Sequence, residues 1–284
     1  MPQPVSGALA GKELRSAATR ALRLHFEFAR VGFVNTLAYR LRYFTGIVTY
    51  FIYVSVYYFI WKAIYEHSVA IEGFDFAHLL TYIGVGWIIR SFYFNNIDQD
   101  LAYQVMEGRL AMDLIKPVNI QVMYVARAAG ESIFRLALLT IPTAAVLFLV
   151  YPLRLPASWG HAAAFLVSVW MSFLIVAAIN FAVGTFALRL QSILGLLRAK
   201  FFLLELFSGL LLPMTFFPQG VQKILALMPF QYISYVPMLI YLGKLDGSAL
   251  ARAIAIQVFW VAILMALGDL LWRWSTRRLI IQGG

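Results

Sequence analysis

Long apolar runs separated by short charged stretches dominate the pattern along this chain. Six of these runs are predicted to be membrane-spanning helices, at about 43–63, 76–97, 132–151, 162–188, 201–217 and 249–271. An α-helix rises about 1.5 Å per residue, so ~20 apolar residues cross the ~30 Å hydrocarbon layer of a bilayer. The pattern therefore predicts an all-α, polytopic membrane protein with six transmembrane helices in one domain, residues 43–272.

The first 42 residues have a different, amphipathic pattern. Charged residues recur at helical spacing from Lys12 to Arg30, while Leu14, Phe28 and Val31 fall on another face. A basic amphipathic helix beside a span is typical of a helix that lies in the membrane interface. We therefore predict a cytoplasmic tail and an interfacial helix over residues 1–42. The helix would serve as a positive-inside anchor, as a contact surface for a cytoplasmic partner, or as both.

The segment before the last span is apolar but broken by prolines. Its longest apolar run, Phe230–Leu242, is too short to span a bilayer and contains Pro237, and Pro218 and Pro229 divide the rest. Runs of this length are more often re-entrant or interfacial, and irregular backbone at membrane depth has to be covered by protein. Residues 218–248 are therefore predicted to form short re-entrant helices at the outer side.

Composition and charge predict the orientation of the spans. Charged residues make up 13% of the chain, about half the roughly 25% of a soluble domain. The net charge is +10. In a membrane protein, such an excess is more commonly explained by the orientation of the spans and by contact with anionic lipid headgroups than by binding of nucleic acid. Basic residues concentrate on one side, and the other side holds only Lys62, Arg154, Lys223, Lys244 and Arg252. Both termini, including the short tail 273–284, are therefore predicted to be cytoplasmic.

The residues give little support to catalysis by this chain. Cysteine is absent, which excludes thiolate metal sites, and four histidines are scattered without metal-ligand spacing. Asp98 and Asp100 could hold a divalent ion in a membrane enzyme, but carboxylates also suit the first turn of a helix, where the macrodipole favours them. The phosphate-binding pattern Gly-x-x-x-x-Gly-Lys-Ser/Thr is absent. If ATP drives the protein, the ATPase is therefore expected to be another chain.

Two charged residues are singled out by their depth, since Arg90 lies about two turns inside the second predicted span and Glu205 about one turn inside the fifth. Ionisable groups at membrane depth are costly and are candidates for function. These two either pair with each other or reach separately towards the headgroups. Tyr53 and Tyr57 belong to an aromatic stripe in the middle of the first span, which serves either core packing or a pathway for an apolar or aromatic ligand.

Residues 98–127 form the longest charged, amphipathic stretch between two apolar runs. Apolar and charged positions are mixed from Asp98 to Lys116, Gly108 permits a bend, and Pro117 ends the helix. A short cytoplasmic helix joined to a span at each end is a suitable lever, because force applied to it tilts both spans.

Three sets of residues in a fixed order carry a family resemblance. They are the basic interfacial helix, Glu107–Leu110 with Leu114–Asn119 after the second span, and the pairs Leu212-Pro213, Phe217-Pro218 and Met228-Pro229. With them the chain resembles the permease subunits of type-2 ATP-binding-cassette (ABC) exporters over nearly its whole length. The resemblance implies a protein of the plasma membrane, which in bacteria is the inner membrane. Two such subunits, identical or paralogous, would form the pathway, and separate nucleotide-binding subunits would bind ATP and magnesium.

The resemblance also assigns residue roles. A coupling helix at 98–118 would sit in a cleft of the ATPase, through Glu107, Gly108, Arg109 and Asp113, flanked by Arg20, Arg23 and Glu27. The translocation pathway would include Tyr53, Tyr57, Arg90 and Glu205, and the outer gate Pro213, Pro218 and Pro229. No cofactor is expected in this chain, and drug, lipid-linked glycan and lipid remain open as substrates. The alternatives are an ion-coupled secondary transporter, which predicts inverted repeats that are not apparent, and a membrane-embedded enzyme.

Overall fold

The computed structural model describes residues 19–20, 23–35, 41–190 and 193–277. Most of these residues are helical, and the described ranges contain no β-strand beyond one isolated bridge between Ile71 and Phe74. The all-α prediction is therefore confirmed for the described residues. Much of the predicted N-terminal tail, residues 1–18, and most of the C-terminal tail, residues 278–284, lie outside them.

Twelve helices are used below, and their bounds are as follows. They are α1 (23–35), α2 (Leu41–Tyr65), α3 (Phe76–Tyr93), α4 (Ile97–Met106), α5 (Leu110–Leu114), α6 (Ile120–Arg135), α7 (Ile141–Val150), α8 (Trp159–Gly184), α9 (Leu194–Phe207), α10 (Gln219–Ala226), α11 (Tyr235–Tyr241) and α12 (Gly247–Thr276). Short 3₁₀ turns follow α8 and precede α10 and α11.

Within the described ranges, four helical stretches are long and apolar enough to cross a membrane. They are Tyr43–Tyr65, Ile120–Val150, Trp159–Leu188 and Gly247–Thr276. The other two predicted spans correspond to α3, which has 18 residues and includes Arg90, and α9, which has 14 residues and includes Lys200 and Glu205. The length and composition of the helices thus support four spans, and the count of six stays a prediction.

The helix that contains the third predicted span begins at Ile120, earlier than the predicted start at residue 132. Asn119 caps it by accepting a hydrogen bond from the backbone N–H of Val122 at 3.0 Å. The helix continues through a π-helical segment, Leu136–Thr140, to Val150. Pro142 follows that segment and lacks an N–H, which explains why the regular ladder is interrupted there. Residues 120–127, assigned from sequence to the charged loop, therefore belong to this helix.

The fifth predicted span was expected to continue to residue 217, but α9 ends at Phe207. Gly209 adopts φ +82°, a left-handed conformation that stops a helix. The freed carbonyls are covered by protein, because Ser208 accepts a hydrogen bond from the Tyr235 N–H at 3.0 Å and Gly209 accepts one from the Tyr82 hydroxyl. This is the condition under which irregular backbone is tolerated at membrane depth.

The core lies around α3 and α8. From Leu79 to Tyr93 nearly every residue of α3 is buried, and α2, α6 to α8 and α11 pack around it. The inner face of α8 includes Ala177 and Ala178, both fully buried, and α8 packs along α12 and α4. Small residues let helix backbones approach closely, and the resulting van der Waals contacts favour helix association in a membrane.

Candidate functional site

The charged segment after α3 consists of two helices, α4 and α5, joined by a tight turn at residues 107–109. Gly108 lies in this turn with φ +69°, a conformation that glycine adopts without steric cost. Glu107 and Arg109 flank it and form an ion pair, and both side chains are exposed. The sequence predicted a bend at Gly108, and the structure places an exposed, charged tip there. We call residues 107–109 the tip.

Asp113 lies on the opposite, inner side of this segment and is only 4% exposed. Its carboxylate accepts hydrogen bonds from Lys116 Nζ at 2.5 Å, from two guanidinium nitrogens of Arg127 at 3.2 and 3.3 Å, and from the Tyr124 hydroxyl at 3.1 Å. Burial alone would raise the pKa of Asp113. The hydrogen bonds and positive charges of Lys116 and Arg127 have the larger, opposite effect, so the pKa lies below its ordinary value. Asp113 therefore fastens α5 to α6, whereas the tip is exposed.

α1 packs against α6 through two glycines. A Cβ at Gly130 would lie 1.7 Å from the carbonyl oxygen of Ala29, and one at Gly32 would lie 2.2 Å from that of Arg127. The two backbones therefore touch, and no larger residue fits at either position without displacing a helix. Phe33 packs edge-on against Phe134 with ring centroids 5.0 Å apart.

The charged residues of α1 that were predicted to flank the coupling contact are exposed. Glu27 pairs with Arg30 at 3.5 Å, and Arg23 is also exposed. Arg20 is exposed and precedes the described part of α1. A polar cavity of about 410 Å³ separates α1 from the tip, and Asn35, Glu107, Arg109 and Arg127 all line it. The structure thus brings α1, the tip and α6 around one concave, charged surface.

A second cavity of about 410 Å³ lies between α2, α3 and α9, and all four residues predicted for the pathway line it. They are Tyr53, Tyr57, Arg90 and Glu205. Tyr53 stacks on Trp87 with ring centroids 4.6 Å apart and planes 8° apart. The threonines Thr45 and Thr49 also line this cavity, so that its wall is aromatic with a few hydroxyls. We call this space the route cavity.

Arg90 and Glu205 form an ion pair across the route cavity, which joins α3 to α9. The guanidinium also donates a hydrogen bond to the Tyr50 hydroxyl at 3.2 Å. It lies 4.9 Å from the ring centroid of Phe94 and 5.6 Å from that of Phe201, within the range of a cation–π contact. Of the two alternatives from sequence, pairing and separate snorkelling, the structure shows pairing.

The three prolines predicted for the outer gate each start a short helical turn. Pro213 is buried and precedes the turn Met214–Phe216, Pro218 precedes α10, and Pro229 precedes the turn Phe230–Tyr232. Proline suits these positions because the first residues of a helix have no intrahelical partner for their N–H groups. The prolines thus position the short helices, and the structure does not bring them to the route cavity, whose lining includes none of them.

Sequence reasoning missed a buried polar network between α4, α8 and α9. Lys200 Nζ lies 2.5 Å from Asp98 Oδ2 and 2.7 Å from Asn180 Oδ1. Asn180 Nδ2 in turn donates to the backbone oxygen of Asn95 at 2.8 Å. The available signal was Asn180, a strongly polar side chain in an apolar span, which is expected to find a partner on another helix. Because Asp98 pairs with Lys200, its carboxylate is also poorly suited to the metal site of a membrane enzyme.

Comparison with known families gives a match over most of the chain. The model of the family described as ABC-2 family transporter protein matches residues 51–283, which is most of the chain. A search of curated proteins finds no match.

Proposed function

This chain belongs to the ABC-2 transporter family, and from that premise we propose that it is the permease subunit of an ATP-driven exporter. The family consists of membrane components that pair with an ABC ATP-binding subunit, and this chain contains no Walker phosphate-binding pattern. In our proposal two permease subunits, identical or paralogous, enclose one pathway in the plasma membrane. The ATP-binding partner binds the nucleotide and magnesium.

The proposal includes six spans with both termini in the cytoplasm. Four helices are supported by length and apolar composition, and α3 and α9 are the remaining two. The charges within α3 and α9 are compatible with spanning, because Arg90 on α3 pairs with Glu205 on α9 and neither charge has to face lipid alone. The excess of basic residues on the side of the tip supports a cytoplasmic tip.

The observation that carries the coupling proposal is the contrast between the exposed tip and its buried base. Glu107 and Arg109 project from the surface, while Asp113 a few residues later is fastened to α6 by Tyr124 and Arg127. A force on the tip is therefore transmitted to α6 instead of being absorbed by loop bending. We propose that the tip occupies a cleft of the ATP-binding subunit and that α1, with Arg20, Arg23 and Glu27, borders the same contact.

The route cavity supports the assignment of the pathway. Its wall combines stacked aromatic rings, hydroxyls and one balanced ion pair. Such a wall is suited to an amphipathic molecule, because ring faces bind apolar or planar groups while the polar atoms bind hydroxyls or charges. Because α2 is largely exposed along Phe44, Val48, Ile52 and Val56, a second permease subunit would have an apolar face to pack against and would double the cavity.

The test is isolation of the tagged chain from native membranes. We expect an ATP-binding subunit with a Walker pattern to co-purify and the isolated complex to hydrolyse ATP. Glu107→Arg should greatly reduce both, because it breaks the ion pair with Arg109 and reverses a charge of the tip. Glu66→Arg is the matched control, since Glu66 is also exposed but lies in the loop at the other end of α3.

Two results would contradict the proposal. One is a chain that transports a substrate in liposomes without any ATPase. The other is equal recovery and equal ATPase activity of the complex with Glu107→Arg and with Glu66→Arg, which would mean that the tip is not the contact.

A further inference from the structure

α9 provides one side of the route cavity, yet apolar packing hardly fixes its position. Of its fourteen residues, only Leu197 is buried. Phe202 and Leu203 are exposed, and Phe201 is also partly exposed although it lines the route cavity. The position of α9 must therefore depend strongly on its polar contacts, namely the pair of Glu205 with Arg90 and the contacts of Lys200.

Lys200 connects α9 to α4, the first helix of the coupling segment. Its side chain is 12% exposed, and the Asp98 side chain that it contacts at 2.5 Å is 1% exposed. An ion pair so deeply buried adds little net stability, but it fixes geometry strongly, because separating the charges leaves both without solvent. Asn180 accepts a second hydrogen bond from Lys200 at 2.7 Å, so the ammonium is held by side chains of two different helices.

α4 is in turn held closely against α8. A Cβ at Gly184 would lie 2.9 Å from Asp98 Cα, so that the two backbones touch at the level of the ion pair. Asn180 on α8 also donates hydrogen bonds to Asn95, at the junction of α3 and α4, at 2.8 and 2.9 Å. The pair of Asp98 with Lys200 thus belongs to a rigid polar cluster from which α9 extends.

The seam between α4 and α9 is otherwise poorly filled. A largely apolar cavity of about 530 Å³ lies along it, and both helices line its wall through residues such as Tyr103, Met106, Leu194 and Phe201. Direct apolar contact is limited to a small cluster in which Ala102 and Leu197 are buried. The ion pair is therefore the main directional link across this seam.

We propose that Asp98 and Lys200 are positioning residues that make α9 move together with the coupling segment. A displacement of the tip would pass along α4 to Asp98, through Lys200 to α9, and so to Glu205 at the route cavity. This inference rests on the proposed function for the source of the displacement. The link itself is a property of the chain alone, so the two can fail separately.

The test measures distances between helices with paired spin labels, which the absence of native cysteine makes possible. One pair, Tyr103→Cys with Ala199→Cys, reports the separation of α4 and α9. A second pair, Ala199→Cys with Leu270→Cys, reports the position of α9 relative to α12. All three substituted positions are exposed, and the measurements use the purified complex with its ATP-binding subunit.

In the otherwise native chain, we expect ATP to shift the distance between α9 and α12 and to leave that between α4 and α9 unchanged. Asp98→Asn and Lys200→Met should broaden the α4–α9 distance distribution and abolish the shift of α9, with the ATP-binding subunit still bound. The double variant Asp98→Asn/Lys200→Met leaves no unpaired buried charge, so it tests the link even if a single variant does not fold. Lys200→Arg should behave as the native chain.

Asp100→Asn is the matched control on the same helix, because the Asp100 side chain lines the polar cavity near α1 instead of the seam. It should leave the α4–α9 distribution unchanged. A native α4–α9 distance that changes with ATP, or one that is insensitive to both Asp98→Asn and Lys200→Met, would overturn the inference and leave the proposed function intact. If no ATP-binding subunit binds, the proposed function fails, and the broadening in the isolated chain still tests the link.

Discussion

The loop before α3, residues 66–75, and the segment after it, residues 94–119, contain the same local features. Each includes a glycine with positive φ, Gly73 at +79° and Gly108 at +69°. Each also includes an aspartate with a lowered pKa, Asp75 and Asp113. The two aspartates differ in their surroundings, because Asp75 is 42% exposed and Asp113 is buried.

The two aspartates consequently have different structural roles. Asp75 caps α3 by accepting a hydrogen bond from the His78 N–H at 2.6 Å and pairs with Arg154 at 3.4 Å, which closes the loop onto its neighbours. Asp113 is the buried base from which the tip projects. The exposed charges at the two ends of α3 resemble each other, and the buried base distinguishes the end that we propose to receive a force.

The largest expected effect comes from removing the charge of each aspartate. Asp113→Asn leaves Lys116 and Arg127 without their carboxylate, and we expect it to lower the free energy of unfolding by about 2–3 kcal/mol. This is less than the roughly 3–5 kcal/mol of a fully buried pair, because both cations partly reach solvent. Asp75→Asn should cost at most about 1 kcal/mol, since asparagine also caps helices and exposed ion pairs contribute little. Denaturant unfolding in detergent measures both.

Equal losses in the two variants would contradict the distinction between a buried base and a surface cap. A matched ATPase measurement adds to the test. Asp113→Asn should also reduce ATP hydrolysis by the complex, because the tip loses its rigid attachment, whereas Asp75→Asn should leave hydrolysis unchanged.

The second effect is the pH dependence of stability. The folded pKa of Asp113 is lowered, so its contribution is fully present above the unfolded pKa of about 3.9 and is lost as pH falls through the folded value. Asp113→Asn should therefore flatten the fall in thermal midpoint between about pH 4 and pH 2. Asp75→Asn should flatten it less, because water screens its partners.

Asp100 contributes with the opposite sign. Although its side chain opens onto the polar cavity, desolvation by the surrounding protein, followed by the charges of Glu131 and Asp98, raises its pKa to about 7. Protonation of Asp100 therefore favours the folded state as pH falls from about 7 towards 4. The native chain and the variants at Asp75 and Asp113 all retain Asp100, so subtracting the native profile from that of a variant removes this contribution. An identical acid profile in Asp113→Asn and the native chain would contradict the assignment.

Much of this contrast could be predicted from sequence. The apolar runs and the bend at Gly108 follow from local chemistry, since long apolar helices and left-handed turns each have a compositional signature. Arg90 and Glu205 were identifiable because charges inside apolar runs are rare. Their pairing stayed one of two alternatives because it depends on how α3 and α9 are placed across 115 residues of chain.

The burial of Asp113 and the contact of Asp98 with Lys200 could not be predicted. Asp113 stands beside Glu107 and Arg109 in an amphipathic stretch where all three charges look equivalent. Only the packing of α5 on α6 separates the buried one from the exposed pair. The early end of α9 was missed for a related reason, because Gly209 stops the helix inside an apolar run and Tyr82, far away in sequence, covers the freed carbonyl.

The smallest expected effect on stability, and the sharpest separation of function, comes from the two glycines. A Cβ at Gly73 or at Gly108 would meet nothing within 4 Å, so alanine at either position adds backbone strain alone, about 1 kcal/mol. Gly73→Ala and Gly108→Ala should therefore lower stability equally, while only Gly108→Ala, which distorts the tip, should reduce ATP hydrolysis by the complex. Because the strain is matched, a loss of hydrolysis in Gly108→Ala alone cannot come from general destabilisation. Equal hydrolysis in the two variants would mean that the conformation of the tip is irrelevant to coupling.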